Sequence, residues 1–593
     1  MSSKTNACWK KRVEGIGGCG RECAARLCWL SGLRTLRMGT GLVSLAFLAS
    51  IVCGALQAEP VSRADKPAAP QPAWGDKPCD KQASPNSEKA PSASVRVQPW
   101  VTLGRETTFF TEPLDRFGYV DYAAALSQEL GRGVPPEKNA YVLLLRAIGP
   151  RPLGEERLPD VLFRRLGMEP LPDQGEYFVP LAPYLREGAG LKNGAAIDSV
   201  LAQERVARTR SWREQDHPHL AAWLKANEKP LALVIEAAQR PLYFRPIVRT
   251  EKLAGDASEL VMVSDLLALR EMASALMLRA MLHVSHTDYG LAWRDLYTVL
   301  RIARLVGQAF SIEVLIGSAL ESTAANSVIA YLEHAPLTPA QWRQRLQELQ
   351  NLPPRKPLAD IVYWGERAFC LDFMQNLHLH HFRALASYHG GSEKTLLYLL
   401  APKLFPWEKI LRRTNACYDE IARALREPDR ARRTKALRAF FEQKLSKLAK
   451  QESDEAQLKA LLKILSDADS DQAEQWTARL IAMGYQPLLR VMQSCDRADQ
   501  THALLQTALV LHIYRLEQGQ YPEKLKDLVP KYRADVPRDV FSGQPLIYRR
   551  TARGFLLYSV GPNEKDDGGR TATDKPPGDD IRVQIPKPEP STP

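Results

Sequence analysis

The sequence has few cysteines, and most are placed where they cannot build a disulfide framework. Nine cysteines occur in 593 residues, and five of them fall within the first 53 residues. Four of these, Cys8, Cys19, Cys23 and Cys28, have spacings unlike the paired C-x-x-C pattern of zinc sites, and Cys53 lies in an apolar segment. The remaining four, which are widely scattered, are Cys79, Cys370, Cys417 and Cys495. They permit either two disulfides or buried free thiols, and a chain of this length can bury a sizeable core without either.

The sequence also lacks legible catalytic motifs. It contains no nucleophile elbow, no phosphate-binding loop and no acylating Ser-x-x-Lys context. The stretch GIGGCG matches the dinucleotide fingerprint at Gly15, Gly17 and Gly20, but it lies in a basic tail and not in a βαβ unit. We therefore predict a non-enzymatic protein that acts by interaction or as a scaffold. A hydrolase built on its helical part is an alternative.

An excess of positive charge is present, but it is unevenly distributed. The net charge is +12, and residues 1–37 contribute half of it, with eight Lys or Arg against Glu14 and Glu22. A second basic run near residues 412–450 is interleaved with acidic residues, as solvated helix faces are. This distribution argues against nucleic acid as a partner.

The basic leader at 1–37 precedes an apolar segment at 38–58, which has no charged residue. This order is typical of export signals, with the N-terminus kept in the cytoplasm. The segment fits a cleaved signal peptide or an uncleaved membrane anchor, and both interpretations stay open. Residues 59–98 are rich in Pro, Ala, Ser and Lys and predict a disordered linker. The rest of the chain is then exported, to the periplasm or cell envelope, where protein partners are expected.

Residues 99–495 predict an irregular antiparallel α-helical domain or domains. The stretch LAWRDLYTVLRIARLVGQ places Ala292, Leu296 and Val299 on one apolar stripe, with polar residues such as Thr298 opposite. In LTPAQW, Thr338 and Gln341 form a capping box at a helix start. No sustained 34-residue period is present, as tetratricopeptide repeats would require. The fold class predicted is mainly α, followed by a small α+β domain.

That α+β module is predicted at 496–586, with a short tail at 587–593. An amphipathic helix ends at Gly519, and a short helix follows in YPEKLKDLVP. Ile547–Arg549 and Phe555–Val560 predict two strands joined by a tight turn.

This C-terminal stretch resembles the globular domain of the class G major pseudopilins of type II secretion. A helix leading into GQYPEKLKDLVP, then PRDVFSGQPLIY, and then LYSVGPN…GG…DDI carry the likeness along about 80 residues. Pseudopilins join their apolar segment directly to this domain, whereas here it lies more than 400 residues upstream. The chain therefore resembles a larger exported bacterial protein that ends in a pseudopilin-like module. A role as an accessory component of a type II secretion or pilus-like assembly is an alternative, and the resemblance implies no activity.

The resemblance implies that the final loop binds calcium. Calcium prefers six to eight oxygen ligands, which carboxylates, amides and carbonyls can supply. The predicted ligands are the carbonyl of Ser559 and the side chains of Asn563, Asp566, Asp567, Asp579 and Asp580. The alternative is that Gly568, Gly569 and the aspartates simply form turns.

A second candidate metal site is the histidine-rich stretch NLHLHHFRALASYHG. On a helix, His378 and His381 share a face, which is a usable spacing for metal ligands. The alternative is a polar helix face. Glu366 lies in helical sequence, where a surface or capping role is expected.

Overall fold

The structure is a computed structural model that describes residues 100–154, 157–248, 264–376, 378–379, 406–445, 477–478, 481–482 and 484–587. The leader, the apolar segment at 38–58 and the linker at 59–98 lie outside these residues. Within the described ranges, no helix is both long enough and apolar enough to cross a membrane.

The described chain is mainly helical with a small antiparallel sheet near the C-terminus, as the sequence predicts. The longer helices, in chain order, are α1 (Tyr122–Gly131), α2 (Ala140–Ile148), α3 (Asp160–Arg165), α4 (Gly194–Ala207), α5 (Pro218–Ala226), α6 (Glu228–Gln239), α7 (Ser264–Ser285), α8 (Tyr289–Leu305), α9 (Ser311–His334), α10 (Pro339–Gln350), α11 (Leu358–Ile361), α12 (Arg367–Asn376), α13 (Trp407–Leu425), α14 (Arg430–Ala439) and α15 (Tyr485–Gln518). The strands are β1 (Ile547–Arg550), β2 (Phe555–Ser559) and β3 (Ile581–Ile585). Single 3-10 or π-helical turns connect several of these elements, for example Val362–Glu366 between α11 and α12.

Helices α8 and α10 form for the reasons that their sequences indicate. The predicted apolar stripe of α8 is buried, including Ala292 and Leu296. Thr298, expected on the polar face, is buried as well, because its hydroxyl donates to the carbonyl of Arg294 at 2.8 Å and so needs no water. Helix α10 begins with the predicted capping box, in which Thr338 accepts from the backbone N–H of Gln341.

The main core joins most of the described helices. Helix α7 packs against α8, α8 packs against α9, and α9 packs against α15. Helices α2 and α6 form a second close pair beside them. A smaller separate core lies around α13 and α14, with Ile421, Leu437 and Phe440 among its members.

The C-terminal sheet packs onto this helical body. Strands β1 and β2 confirm the predicted hairpin, and β3, which the sequence did not predict, pairs antiparallel with β2. The sheet shares the main core with α15, because Phe555, Leu557 and Val583 are buried in the same cluster as Leu509. The predicted module boundary after residue 495 falls inside α15, which runs without a break for 34 residues.

The three cysteines within the described residues, Cys370, Cys417 and Cys495, are free thiols. Burial raises the pKa of Cys370 and of Cys495 to about 12. A thiol that holds its proton so strongly is a poor nucleophile and a poor metal ligand. These residues are packed as small apolar side chains.

Candidate metal site in the C-terminal loop

The sheet register sets the position of the loop that carries the predicted ligands. Ser559, the last residue of β2, pairs with Ile581, the first residue of β3. The intervening residues therefore leave and re-enter the sheet at the same end of its strands. As a result Gly561 lies against Asp579, and Asp580 immediately precedes β3.

A buried carboxylate anchors the start of the loop. Asp539 accepts hydrogen bonds from the Ser559 hydroxyl at 3.0 Å and from the backbone N–H of Val560 at 2.8 Å. It also accepts from the backbone N–H of Phe541 at 2.8 Å, so both carboxylate oxygens are used. We did not single out Asp539 from the sequence, although it lies in the PRDVFSGQPLIY segment. A short polar residue before a Ser-Gly turn was the available signal.

Three of the predicted ligands come together in the loop. One carboxylate oxygen each from Asp567, Asp579 and Asp580 lie within 4.8 Å of one another. Asp567 Oδ2 accepts from the Asp579 N–H at 3.0 Å and from the Asn563 amide at 3.1 Å. Asp580 Oδ2 accepts from the Gly569 N–H at 2.7 Å. Asp579 Oδ1 is buried without a hydrogen-bond partner, so one carboxylate oxygen of the cluster residues is left unsatisfied.

The other three predicted ligands have different contacts. The Ser559 side chain donates to Asp539, and its backbone lies within the sheet. Asn563 Oδ1 accepts from the Lys565 N–H at 2.7 Å. Asp566 Oδ1 accepts from the Tyr558 hydroxyl at 3.0 Å and from the Gly568 N–H at 2.8 Å. The structure therefore places these residues around the carboxylate cluster and not in it.

The pKa values of Asp567 and Asp580, two of the three clustered carboxyls, are shifted in opposite directions. Hydrogen bonds from the Asp579 N–H and from the Asn563 amide hold the pKa of Asp567 below its usual value. Burial raises the pKa of Asp580, and the nearby charge of Asp567 adds to the effect. Like charges in a partly buried site repel one another, and a divalent cation would relieve that repulsion.

Two arginines approach the same carboxylates. Arg497, which extends from α15, places Nη2 3.6 Å from Asp579 Oδ2. Arg570 places Nη2 3.7 Å from Asp567 Oδ1. These long contacts offset part of the negative charge without closing the cluster, since charge-assisted hydrogen bonds are normally shorter than 3 Å. The arrangement offers oxygen ligands for a hard cation and presents no nucleophile beside a general base.

The histidine stretch gives a different result. His378 stacks on Trp100 with ring centroids 4.7 Å apart and meets Trp407 edge-on at 5.8 Å. His380, His381 and His389 lie outside the described residues. Glu366 is a capping residue, as expected, because its Oε1 accepts from the backbone N–H of Ser311 at the start of α9 at 2.7 Å.

Buried ion pairs lie elsewhere in the helical body, and we did not predict them from the sequence. Arg245 binds Asp265 through two hydrogen bonds of 2.6 and 2.9 Å. Arg279 binds Asp295 in the same bidentate way at 2.6 and 3.0 Å. The partners lie 20 and 16 residues apart in sequence, which matches no local spacing rule.

Glu321 in α9 is shared between two arginines. Arg304 Nη2 lies 2.7 Å from Oε1, and Arg355 Nη2 lies 2.6 Å from Oε2. Both carboxylate oxygens are therefore neutralised, as a structural ion pair requires.

No protein-family model, curated protein or solved structure was found that matches this chain.

Proposed function

We propose that this chain is an exported or membrane-anchored envelope protein that acts by interaction or as a scaffold, and that its C-terminal loop binds calcium. The observation that carries the calcium part is the cluster of Asp567, Asp579 and Asp580. Their carboxylate oxygens are ligands that calcium prefers, and Asp579 Oδ1 has no hydrogen-bond partner in the protein. Calcium bound there would neutralise the carboxylates and stiffen the loop.

The paired charges of the helical body support a scaffold function. The buried carboxylates of Asp265, Asp295 and Glu321 are each held by arginine. Enzymes need acids and bases whose protons can move, and a carboxylate held by arginine has no such freedom. These groups position helices.

An accessory role in a secretion or pilus-like assembly is the second candidate. The long helix α15 packed against the antiparallel sheet supports it, because the resemblance to class G pseudopilins rests on a helix followed by this sheet region. In this role the module would meet an assembly in the envelope.

Calorimetry on the full chain tests the calcium part. We expect heat of binding with Ca²⁺ and a rise in melting temperature, with a much weaker response to Mg²⁺, which demands a stricter octahedral geometry. Asp579→Asn should weaken Ca²⁺ binding at least about tenfold, because a charged ligand is lost. Asp198→Asn, at an exposed position in α4, is the control and should bind normally. Absence of heat and of any melting shift in the parent chain would refute the site.

Export is tested separately. Residues 1–98 are fused to alkaline phosphatase, which is active only after it leaves the cytoplasm, in a bacterial host. We expect activity in whole cells, and we expect its loss when residues 38–58 are replaced by a polar sequence of equal length, because the apolar segment drives insertion. Equal activity of the two fusions would contradict the envelope location and leave the calcium result unaffected.

A further inference from the structure

A cavity of about 310 Å³ lies where the sheet meets the helical body. Its wall combines the end of α9, the last turns of α15, the turn between β1 and β2, and the end of β3. The charged and polar residues of the wall are Glu333, His334, His512, Arg515 and Arg553. This volume is at the lower end of the range of small-molecule sites, about 300–1,000 Å³.

One buried polar group in the wall has no protein partner. His512 is only 8 % exposed, and its ring packs edge-on against Trp342 with centroids 5.1 Å apart. Its Nδ1 is buried and has no hydrogen-bond partner. Buried polar atoms are normally hydrogen-bonded, so this imidazole adds an unsatisfied polar group to the surroundings of the cavity.

The charges around the cavity favour an anion. Arg515 and Arg553 are both exposed at its wall, and Arg553 forms no ion pair within the described part of the chain. Arg515 makes a long 3.4 Å contact to the Tyr521 hydroxyl, which leaves its charge unneutralised. Guanidinium groups match the planar geometry of carboxylates and phosphates.

The negative charge in the wall, that of Glu333, is partly satisfied by other groups of the protein. Glu333 accepts a hydrogen bond from the backbone N–H of Lys587. Burial lowers the pKa of Lys587, and the nearby charge of Arg210 lowers it further, whereas the charge of Glu333 raises it. His334 Nδ1 contacts the carbonyl of Ala330 at 2.7 Å, so that nitrogen is also engaged. The α9 C-terminus adds a partial negative charge on its side of the cavity.

We propose that this cavity binds a small molecule bearing a carboxylate or phosphate group. Arg515 and Arg553 bind the oxyanion, and the side chain of His512 packs against the same molecule. Leu332, Ile585 and Pro586 provide the apolar part of the wall. The ligand would contact both the helical body and the sheet, and so would stabilise their packing.

Titration of the full chain tests this proposal, with inorganic phosphate and citrate as probes and uncharged glycerol as a blank. We expect at least one oxyanion to raise the melting temperature and give saturable heat. Whether phosphate or citrate binds shows whether the cavity recognises a phosphate or a carboxylate group. Arg553→Gln and Arg515→Gln should each weaken binding about tenfold or more, because a charge-assisted hydrogen bond is lost.

The control variant is Arg164→Gln, which removes one positive charge from an exposed position in α3. It should bind as the parent chain does. The proposal fails if neither oxyanion binds. It also fails if all three variants bind equally, because that result would show only a general attraction to a basic protein. Arg515 and Arg553 are exposed, so both variants should fold, and their melting temperatures without ligand check this.

Discussion

At the residue scale, the loop depends on a glycine whose position no other residue can take. Gly561 has φ +67°. A Cβ built there would lie 2.2 Å from the carbonyl oxygen of Asp579. The left-handed backbone and the close approach therefore both exclude a side chain. Asp579 in turn donates its backbone N–H to Asp567 Oδ2 at 3.0 Å.

We expect Gly561→Ala to destabilise the protein by about 2–4 kcal/mol, because backbone strain and steric overlap add. Gly190→Ala is a matched control, since Gly190 has the same φ of +67° but no atom within 4 Å of its Cβ position. It should cost only the strain, about 1–2 kcal/mol. Chemical denaturation of both variants measures the difference. Equal losses would show that the contact with Asp579 does not constrain the loop.

At the scale of elements, α9 shows how buried carboxylates start a helix. Glu313 Oε2 accepts from the backbone N–H groups of Gln308 and Ala309 at 2.8 and 2.9 Å. Glu366, from the π-helical turn before α12, accepts from the Ser311 N–H. Glu366 thus satisfies a donor that the helix start leaves open, Glu313 holds the loop that leads into the helix, and both carboxylates complement the helix dipole. Burial raises the pKa of Glu366.

Local signals predicted several elements because their causes are local. The capping box of α10, the glycine that ends α15 and the β1–β2 hairpin each depend on residues a few positions apart. Strand β3 escaped prediction because it follows a long polar loop, and its pairing with β2 and the burial of Val583 are contacts distant in sequence. The start of α15 at Tyr485 escaped because apolar periodicity continues across residue 495.

At the scale of the whole molecule, a buried histidine joins α9 to α15. His502 Nδ1 lies 3.7 Å from Glu321 Oε1, and Nε2 contacts the Gln506 amide at 2.8 Å. Burial, together with the charges of Arg304 and Arg355, lowers the pKa of His502 to about 3. The arginines already neutralise Glu321, so the imidazole gains little by taking a proton.

The depressed pKa of His502 makes the folded protein less stable as the pH falls. Below the ordinary histidine pKa of about 6.5, the unfolded chain binds a proton at His502 that the folded chain refuses, so stability falls as pH falls. At pH 5 the loss is about 2 kcal/mol relative to pH 7.

His502→Gln removes that proton, so we expect the stability of the variant relative to the parent to improve by about 2 kcal/mol between pH 7 and pH 5. Denaturation curves at both pH values measure this change. His219→Gln, at an exposed position in α5, is the control and should show no such change. A constant difference between the His502 variant and the parent would contradict the depressed pKa.

The sequence by itself determined the helical class, the caps, the hairpin and the residues of the acidic loop, because these depend on local periodicity and turn chemistry. Only the tertiary structure decided which aspartates meet, that Asp539 anchors the loop, and that Arg304 and Arg355 share Glu321. It also decided that His512, Arg515 and Arg553 line one cavity. These contacts join residues that are distant along the chain. The packing of apolar helix and sheet faces decides which of these polar groups come together, and many different sequences can satisfy that packing.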